Sequence, residues 1–325
     1  MSTMDIIRKL VVDEGAYTVK VGTSEVLEPT LRETPQPETF VNGVVSHYDS
    51  LDSLYDLIIC NKLDISPPDY GIMVSEQPVG PKINRERRLE MMMERFQFAE
   101  FCTAKSSSLA LFAHGRSTGL VVDSGYQKTH IVPVYHGYCL PLAILRADDI
   151  GGRQCTANLR DIIRLSGHQL DIETTRNIKE KLCYCRSEGD IEPALATVFK
   201  LPDNSKISLQ DELHQATEII FRAGLSKLTQ ESIYKCDVDL KTSLLFENII
   251  PVGGNTMFPG FDSRLLDQNL ASFGKPACVV ESTGPRDTAV WRGAQMMAEM
   301  SSCEWVTRAE YEEFGASVAH RKCFF

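Results

Sequence analysis

One short pattern occurs twice in the chain and restricts its fold more than any other feature. Residues 10–15 read Leu-Val-Val-Asp-Glu-Gly, and residues 120–125 read Leu-Val-Val-Asp-Ser-Gly. In each copy a continuous apolar run, typical of a strand buried on both faces, ends at an acid and a glycine. The glycine predicts a tight turn into a second strand, over residues 17–21 in one case and 129–135 in the other.

The acids that end the two runs are Asp13 and Asp123. In α/β folds, ligands bind at the edge where buried strands end, so each acid is expected to point into a binding cleft. Two copies of one unit predict two similar domains, with the two carboxylates facing each other across that cleft. The expected fold class is therefore α/β with two related domains.

The rest of the chain alternates helices and strands. A strand over 248–252 runs into a glycine pair, and strands over 198–201 and 206–209 are expected to form a hairpin. The segment 23–36 contains Pro29 and Pro35 and is predicted to be a loop. Apolar periodicity and end signals predict helices over residues 52–60, 84–98, 155–165, 173–184, 226–234, 241–247, 288–301 and 308–314.

Composition excludes several classes of protein. The 325 residues are 43% hydrophobic with a net charge of -10 and no run of five basic residues, so direct nucleic-acid binding is not expected. The ten cysteines include no C-x-x-C pair, which argues against structural zinc and favours reduced thiols in an intracellular compartment. The polar N-terminus predicts no signal peptide, and no apolar run is long enough to cross a membrane.

Several segments, taken in order, resemble the actin family: residues 115–125, 178–184, 235–239, 253–260 and 320–324. The resemblance implies the actin-like ATPase fold, in which two related domains close on ATP and a divalent cation. The small domain would comprise residues 1–113 plus 289–325, and the large domain residues 114–288. Expected site residues follow from the family motifs, position by position.

The first phosphate loop of the family corresponds to residues 13–20, where Asp13, Gly15 and Lys20 keep the pattern. Ala16 stands where the family has a serine, and Tyr17 where it has a glycine. A phosphate cradle needs backbone N–H groups that approach the oxygens closely, which small residues permit. A tyrosine there is expected to hinder that approach, and Glu14 to repel the ligand by its charge.

The second phosphate loop corresponds to residues 123–130. Its Ser124 and Gly125 match the family, whereas Tyr126 replaces an acid and Gln127 a glycine. Asp13 and Asp123 are expected to hold a hydrated magnesium ion through water. Lys128 has two interpretations, a positive charge for a phosphate or a solvated turn residue.

The family's water-orienting residues are only half present. His130 is retained, but Ser106 stands at the position of a glutamine. Serine is too short to hold the water at the same place, and positioning is most of phosphoryl-transfer catalysis. Slow or absent hydrolysis is therefore predicted.

The adenosine side matches the family better, although Asp287 replaces a lysine. ATP or ADP with Mg²⁺ is the expected ligand, and an empty cleft is the alternative, because this loop also packs the domain core. The matching residues are Lys179, Glu180, Gly253, Gly254, Thr256, Met257 and Phe258.

The filament surface is reduced. The segment 22–43 is much shorter than in actins and lacks most of the subdomain whose loop inserts into the next subunit, and the segment 221–235 is also shortened. The receiving face, at residues 135–138 and in the tail to Phe325, is retained. A subunit with a receiving groove and no inserting loop could block the pointed end of a filament. The alternative is that the loops shrank because the chain makes no filament contact.

Three functions follow from the resemblance. The first is a non-polymerising, weakly or non-hydrolysing subunit, a scaffold or pointed-end cap in a cytoplasmic cytoskeletal, motor-adaptor or ciliary complex. Its partners would be proteins, including an actin or actin-like filament end, and neither nucleic acid nor membrane. The second is a subunit of a nuclear chromatin-remodelling complex, which the absence of a basic localisation run disfavours. The third is an active actin-like ATPase, which would need intact phosphate loops.

Overall fold

A six-stranded sheet forms around the first copy of the repeated pattern. The computed structural model describes residues 7–187, 189, 195–237, 239, 245–267 and 277–323. The repeat forms β1 (Arg8–Glu14), which pairs antiparallel with β2 (Val19–Thr23) and parallel with β6 (Tyr70–Glu76). The strands, in spatial order, are β15 (Val306–Thr307), β7 (Glu100–Lys105), β6 (Tyr70–Glu76), β1 (Arg8–Glu14), β2 (Val19–Thr23) and β3 (Leu31–Glu33).

The second copy forms β8 (Gly119–Ser124) in a separate five-stranded sheet, again followed by an antiparallel strand, β9 (Thr129–Tyr135). In the two copies the acids occupy equivalent places, because Asp13 pairs with Lys20 and Asp123 pairs with His130. The strands of this sheet are β8 (Gly119–Ser124), β9 (Thr129–Tyr135), β10 (Tyr138–Cys139), β11 (Leu145–Ala147) and β14 (Ile249–Val252).

Two small hairpins complete the strands: β4 (Phe40–Val41) with β5 (Val44–Val45), and β12 (Thr197–Lys200) with β13 (Lys206–Leu209). The β4–β5 turn is Asn42-Gly43, with φ of 50° and 69°. Positive φ at both turn residues is the geometry that an Asn-Gly pair favours in a two-residue hairpin.

The α-helices are α1 (Tyr48–Asp56), α2 (Ile83–Glu90), α3 (Ser106–Ala113), α4 (Gly152–Leu165), α5 (Ile172–Leu182), α6 (Glu212–Arg222), α7 (Leu225–Tyr234), α8 (Phe261–Asp267), α9 (Ala289–Ala298), α10 (Arg308–Phe314) and α11 (Ala319–Lys322). Wider π-helical turns, Leu57–Leu63 and Met91–Arg95, extend α1 and α2. Short 3₁₀ turns lie at Pro67–Asp69, Pro141–Ala143, Gly254–Met257 and Ala316–Val318. None of the helices in the described ranges is long and apolar enough to cross a membrane.

The predicted elements are largely confirmed, with ends that differ by a few residues. The prediction of a loop over 23–36 is wrong at its centre, where β3 pairs with β2. Its prolines flank the strand and do not interrupt it, which is compatible with an edge position. The predicted helix over 241–247 lies mostly outside the described residues.

Three clusters of buried side chains hold the fold together. One combines residues from 10–109 with residues from 291–323, where buried Trp291 donates a hydrogen bond to the Val11 carbonyl at 3.1 Å. A second draws on residues 120–265, and a smaller third cluster lies around Ala110 and Ala289. Helices α3 and α9 touch closely, since a Cβ on Gly293 would lie 1.7 Å from the Leu109 carbonyl oxygen. The domain boundaries given above stay a prediction.

Candidate functional site

A cavity of about 460 Å³ lies where the two copies of the repeat meet. It is lined by the first loop (residues 13–20), the second loop (123–130), α5 and the 3₁₀ turn after β14. The predicted residues that line it are Asp13, Gly15, Lys20, Ser106, Asp123, Gly125, His130, Lys179, Glu180, Gly253, Gly254, Met257 and Phe258. As expected, Asp13 and Asp123 share one cleft.

Two predicted site residues, Ser124 and Thr256, do not line the cavity. The buried Ser124 hydroxyl exchanges a hydrogen bond with Thr129 at 2.8 Å. The Thr256 hydroxyl donates to the Gly253 carbonyl at 2.8 Å. Both residues shape loops beside the cavity and do not face it.

Both carboxylate oxygens of Asp13 accept hydrogen bonds from residues of the six-stranded sheet. Its Oδ2 accepts a hydrogen bond from Lys20 Nζ at 2.9 Å, and its Oδ1 accepts one from the Ser75 hydroxyl at 2.8 Å. A cation coordinated directly by Asp13 would lie close to the positive charge of the Lys20 ammonium, which would repel it.

Glu14 lines the cavity, but its charge is paired with Arg88, so the expectation that it repels a ligand is wrong. Its carboxylate is buried, accepts two hydrogen bonds from Arg88 at 2.7 and 3.0 Å, and accepts one from the Tyr55 hydroxyl at 2.9 Å. Burial acts to lower the pKa of Arg88, but the Glu14 carboxylate together with Glu76 and Tyr55 raises it above its ordinary value, so the guanidinium stays charged. The ion pair neutralises the charge of Glu14.

Asp123 differs from Asp13 because no described residue donates a hydrogen bond to its carboxylate. Burial, and next the nearby charge of Asp13, raise its pKa to about 6, although Lys128 and Lys20 oppose the rise. The two acids that line the cavity thus differ in their surroundings: Asp13 accepts hydrogen bonds from partners, whereas Asp123 is buried and is protonated more readily than an ordinary aspartate.

Aromatic side chains join the two loops. The ring centroids of Tyr17 and Tyr126 lie 4.9 Å apart with an angle of 37° between the ring planes. Arg176 of α5 places its Cζ 4.5 Å from the Tyr17 centroid and donates a hydrogen bond to the Tyr17 hydroxyl at 2.7 Å. We call Tyr17, Tyr126 and Arg176 the aromatic cluster. The sequence motifs gave no reason to include Arg176, because its partner lies in a distant segment.

Gln127 connects the second loop to the β4–β5 hairpin. Its Oε1 accepts a hydrogen bond from the Gly43 amide at 2.8 Å, and its Nε2 donates one to the Phe40 carbonyl at 2.8 Å. Further along the cleft, Arg32 pairs with Asp287 at 2.7 Å. The loops and the cleft edge are thus bridged by protein groups alone.

Three buried polar atoms on the cavity wall lack hydrogen-bond partners within the described part of the chain: Ser106 Oγ, Lys128 Nζ and His130 Nε2. Lys128 is only 5% exposed, which excludes its interpretation as a solvated turn residue. Burial, followed by the Arg146 charge, lowers its pKa to about 8. Burial also holds the pKa of His130 well below its ordinary value, so that imidazole is neutral near pH 7.

These residues fit a polar, phosphate-bearing ligand better than they fit a metal ion. The cavity volume is typical of small-molecule sites, and unpartnered buried donors are uncommon unless something else satisfies them. For a cation, both oxygens of Asp13 are already engaged, and the described residues contain no group of three or more His, Cys, Asp or Glu side chains able to hold one. A directly coordinated divalent cation does not fit this arrangement.

The part of the cleft that the resemblance assigns to adenosine is formed by α5 and the turn after β14. Lys179 is buried and donates to the Gly152 carbonyl at 3.3 Å, whereas Glu180 is exposed. Gly253 has a φ of 92°, and a Cβ there would lie 2.5 Å from the Ser124 carbonyl oxygen. Asn255, which the motif reading did not single out, donates to the Gly125 carbonyl at 2.8 Å. It therefore ties the adenosine-side turn to the second phosphate loop.

Comparison with known protein families agrees with this architecture. The Actin family model matches residues 21–181 and 168–324 of the chain. The matched residues include the second loop, α5 and the 3₁₀ turn after β14, while the first loop precedes them. Because the matches cover most of the sequence, the chain belongs to the actin family.

Proposed function

We propose that this actin-family chain is a non-polymerising subunit of a larger protein complex, with a cleft that binds nucleotide and hydrolyses it slowly or not at all. The aromatic cluster carries the proposal. It places two tyrosine rings and a guanidinium between loops that, in a working phosphate site, would offer bare backbone to the ligand. These contacts fix the two loops relative to each other, which suits a structural role of the cleft better than ATP hydrolysis.

Weak hydrolysis is further supported by the water-positioning side of the site. Ser106 is buried with its hydroxyl on the cavity wall and no partner among the described residues. Its side chain is short, and His130 alone remains to orient a water molecule. Loss of one positioning contact in a catalytic site lowers the rate by roughly a hundred- to thousandfold.

Loss of polymerisation is supported by the segment between β2 and α1. Residues 24–47, all of which the structure describes, form the edge strand β3 and the β4–β5 hairpin. The strand pairs with β2, and the hairpin turn is bonded to Gln127. Both parts of the segment are thus engaged within the chain, which leaves little to insert into a neighbouring subunit.

A protein-binding role is supported by exposed apolar side chains after β9. Tyr138 is 51% exposed and Leu142 is 93% exposed, close to the segment that the resemblance assigns to the receiving face. Apolar side chains on a surface suit contact with another protein. We propose a cytoplasmic, cytoskeletal complex as the setting, with the pointed end of an actin-like filament as the specific partner.

The hydrolysis part is tested by phosphate release from ATP, with actin as the reference sample. We expect a rate lower by about a hundredfold or more. Release at the actin rate would contradict the proposal. Chromatography of the nucleotide freed by denaturing the purified protein would show whether the cleft is filled as isolated.

The assembly part is tested by sedimentation and by affinity capture. Alone, at high protein concentration with ATP and salt, the chain should stay in the supernatant. Capture followed by mass spectrometry should recover cytoskeletal proteins, whereas recovery of chromatin-remodelling subunits would reject the cytoskeletal setting.

A further inference from the structure

Lys128 is the most unusual residue of the cleft. Lys128 is a buried lysine that lines the cavity. Its ammonium has no hydrogen-bond partner within the described ranges. An unpaired charge in such a place carries a desolvation penalty of several kcal/mol. The presence of this charge in a ligand cavity is best explained by an anionic ligand that pairs with the ammonium.

The surroundings hold the lysine in one place. Its carbonyl accepts the Gly125 amide at 3.0 Å, and its own amide packs on Gly151, where a Cβ would lie 2.9 Å from the Lys128 nitrogen. The side chain passes beneath the β4–β5 turn, since a Cβ on Gly43 would lie 2.5 Å from Lys128 Cε. The ammonium is therefore positioned in advance, which lowers the entropy lost on binding.

Two acids and one cation act on the Lys128 ammonium. Asp123 and Asp148 favour the charged lysine, Arg146 opposes it, and neither acid bonds to it directly. Across the cavity, Lys20 occupies one oxygen of Asp13. The cavity thus holds two lysines near the two acids that the family motifs assign to a hydrated magnesium ion: Lys20 bonds to Asp13, and Lys128 interacts with the charge of Asp123.

We propose that Lys128 binds the terminal phosphate of a nucleoside di- or triphosphate and supplies the positive charge that a divalent cation would otherwise bring, so that the cleft binds nucleotide without Mg²⁺. This inference rests on the nucleotide binding proposed above. It does not depend on whether the ligand is hydrolysed. The unpartnered His130 Nε2 and Ser106 Oγ lie on the same wall and offer further polar contacts to the phosphate.

Titration calorimetry with ADP and with pyrophosphate, each in EDTA and in excess Mg²⁺, tests the proposal. The native chain should bind both in EDTA and should gain little from Mg²⁺. Lys128→Met should weaken both by roughly 10- to 100-fold, the loss expected for a charge-assisted hydrogen bond. It should leave adenosine binding unchanged. Lys227→Met, at an exposed lysine of α7, is the matched control and should bind like the native chain.

The results that would overturn the proposal are specific. They are a gain of about tenfold or more with Mg²⁺ in the native chain, equal binding by Lys128→Met, or no binding of either ligand. Ligand-free Lys128→Met should melt at the same temperature or higher, because an unpaired buried charge is removed. A lower melting temperature would assign Lys128 a structural role instead. Absence of binding by both ligands would also reject the nucleotide binding proposed above, whereas the first two results overturn only the Mg²⁺-independent role of Lys128. Rapid phosphate release or sedimentation would contradict the proposed function without bearing on Lys128.

Discussion

The rings of Tyr17 and Tyr126 meet 4.9 Å apart, although one belongs to the first phosphate loop and the other to the second. The contact joins two segments that are distant in sequence. If a phosphate were bound between them, it would also connect the two loops. Arg176 adds a hydrogen bond and a cation–π contact to Tyr17. Protein side chains therefore hold the two loops together directly.

Removing the Tyr17 ring should weaken this connection. An aromatic pair contributes about 0.5–1.5 kcal/mol, and a hydrogen bond from a charged donor such as the Arg176 guanidinium contributes about 1.5 kcal/mol at the low end of its range. We expect Tyr17→Ala to lower the free energy of unfolding in urea by about 2 kcal/mol. Tyr17→Phe should lose only the hydrogen-bond part, and Tyr126→Phe, which keeps the ring, should be nearly neutral. Equal effects of Tyr17→Ala and Tyr17→Phe would show that the ring contact contributes nothing.

Gln127 should control the opening of the cleft. Gln127→Gly removes both hydrogen bonds to the β4–β5 hairpin and adds backbone freedom. We expect a larger radius of gyration in small-angle X-ray scattering and faster proteolysis near residue 42. Gln127→Glu keeps an acceptor for the Gly43 amide and loses the donor to Phe40, so it should give an intermediate result. Identical scattering from all three proteins would contradict the bridging role.

Asp123 should make stability depend on pH. Its folded-state pKa, about 6, lies above the ordinary value of 3.8, so its contribution is complete below about pH 4 and is lost as pH rises through 6. Asp123→Asn, which mimics the protonated acid, should match the native chain at pH 4. It should exceed the native chain by up to about 3 kcal/mol at pH 7–8. Urea unfolding at several pH values measures the difference, and a gap that does not vary with pH would refute the assignment.

The buried pair of Glu14 and Arg88 should be needed as a unit. Arg88→Met leaves the Glu14 carboxylate buried with only the Tyr55 hydroxyl, and we expect a loss of about 3–5 kcal/mol of unfolding free energy. The double variant Glu14→Leu with Arg88→Met removes both charges and should recover most of that loss. A double-mutant cycle in urea gives the coupling energy. Additive losses would mean that the two side chains do not depend on each other.

Much of the fold was predictable because its signals are local. The continuous apolar runs of the repeat identified β1 and β8, and helical periodicity located most of the helices within a few residues. The strand β3 was missed because its backbone pairs with β2, whose paired residues lie outside the segment 23–36. The prolines beside β3 are also typical of loops. Local patterns do not report such pairings.

The candidate site divides in the same way. The repeat predicted that Asp13 and Asp123 share one cleft, and most of the residues expected from the family motifs line the same cavity. Only the structure showed that Glu14 turns to Arg88, that Arg176 stacks on Tyr17 and that Gln127 bonds to the hairpin. These partners come from separate elements, and their directions depend on how the domains pack.

The sequence by itself determined that the chain contains two related α/β units with an acid at the end of a strand in each, because strand burial and turn chemistry are written in neighbouring residues. Only the tertiary structure decided the state of the charges in the cleft. Whether a carboxylate is paired, as Asp13 is, or whether an ammonium is buried without a partner, as Lys128 is, depends on side chains brought within a few ångströms by folding. Electrostatic energy varies steeply with distance and burial, and neither quantity exists until the domains have packed.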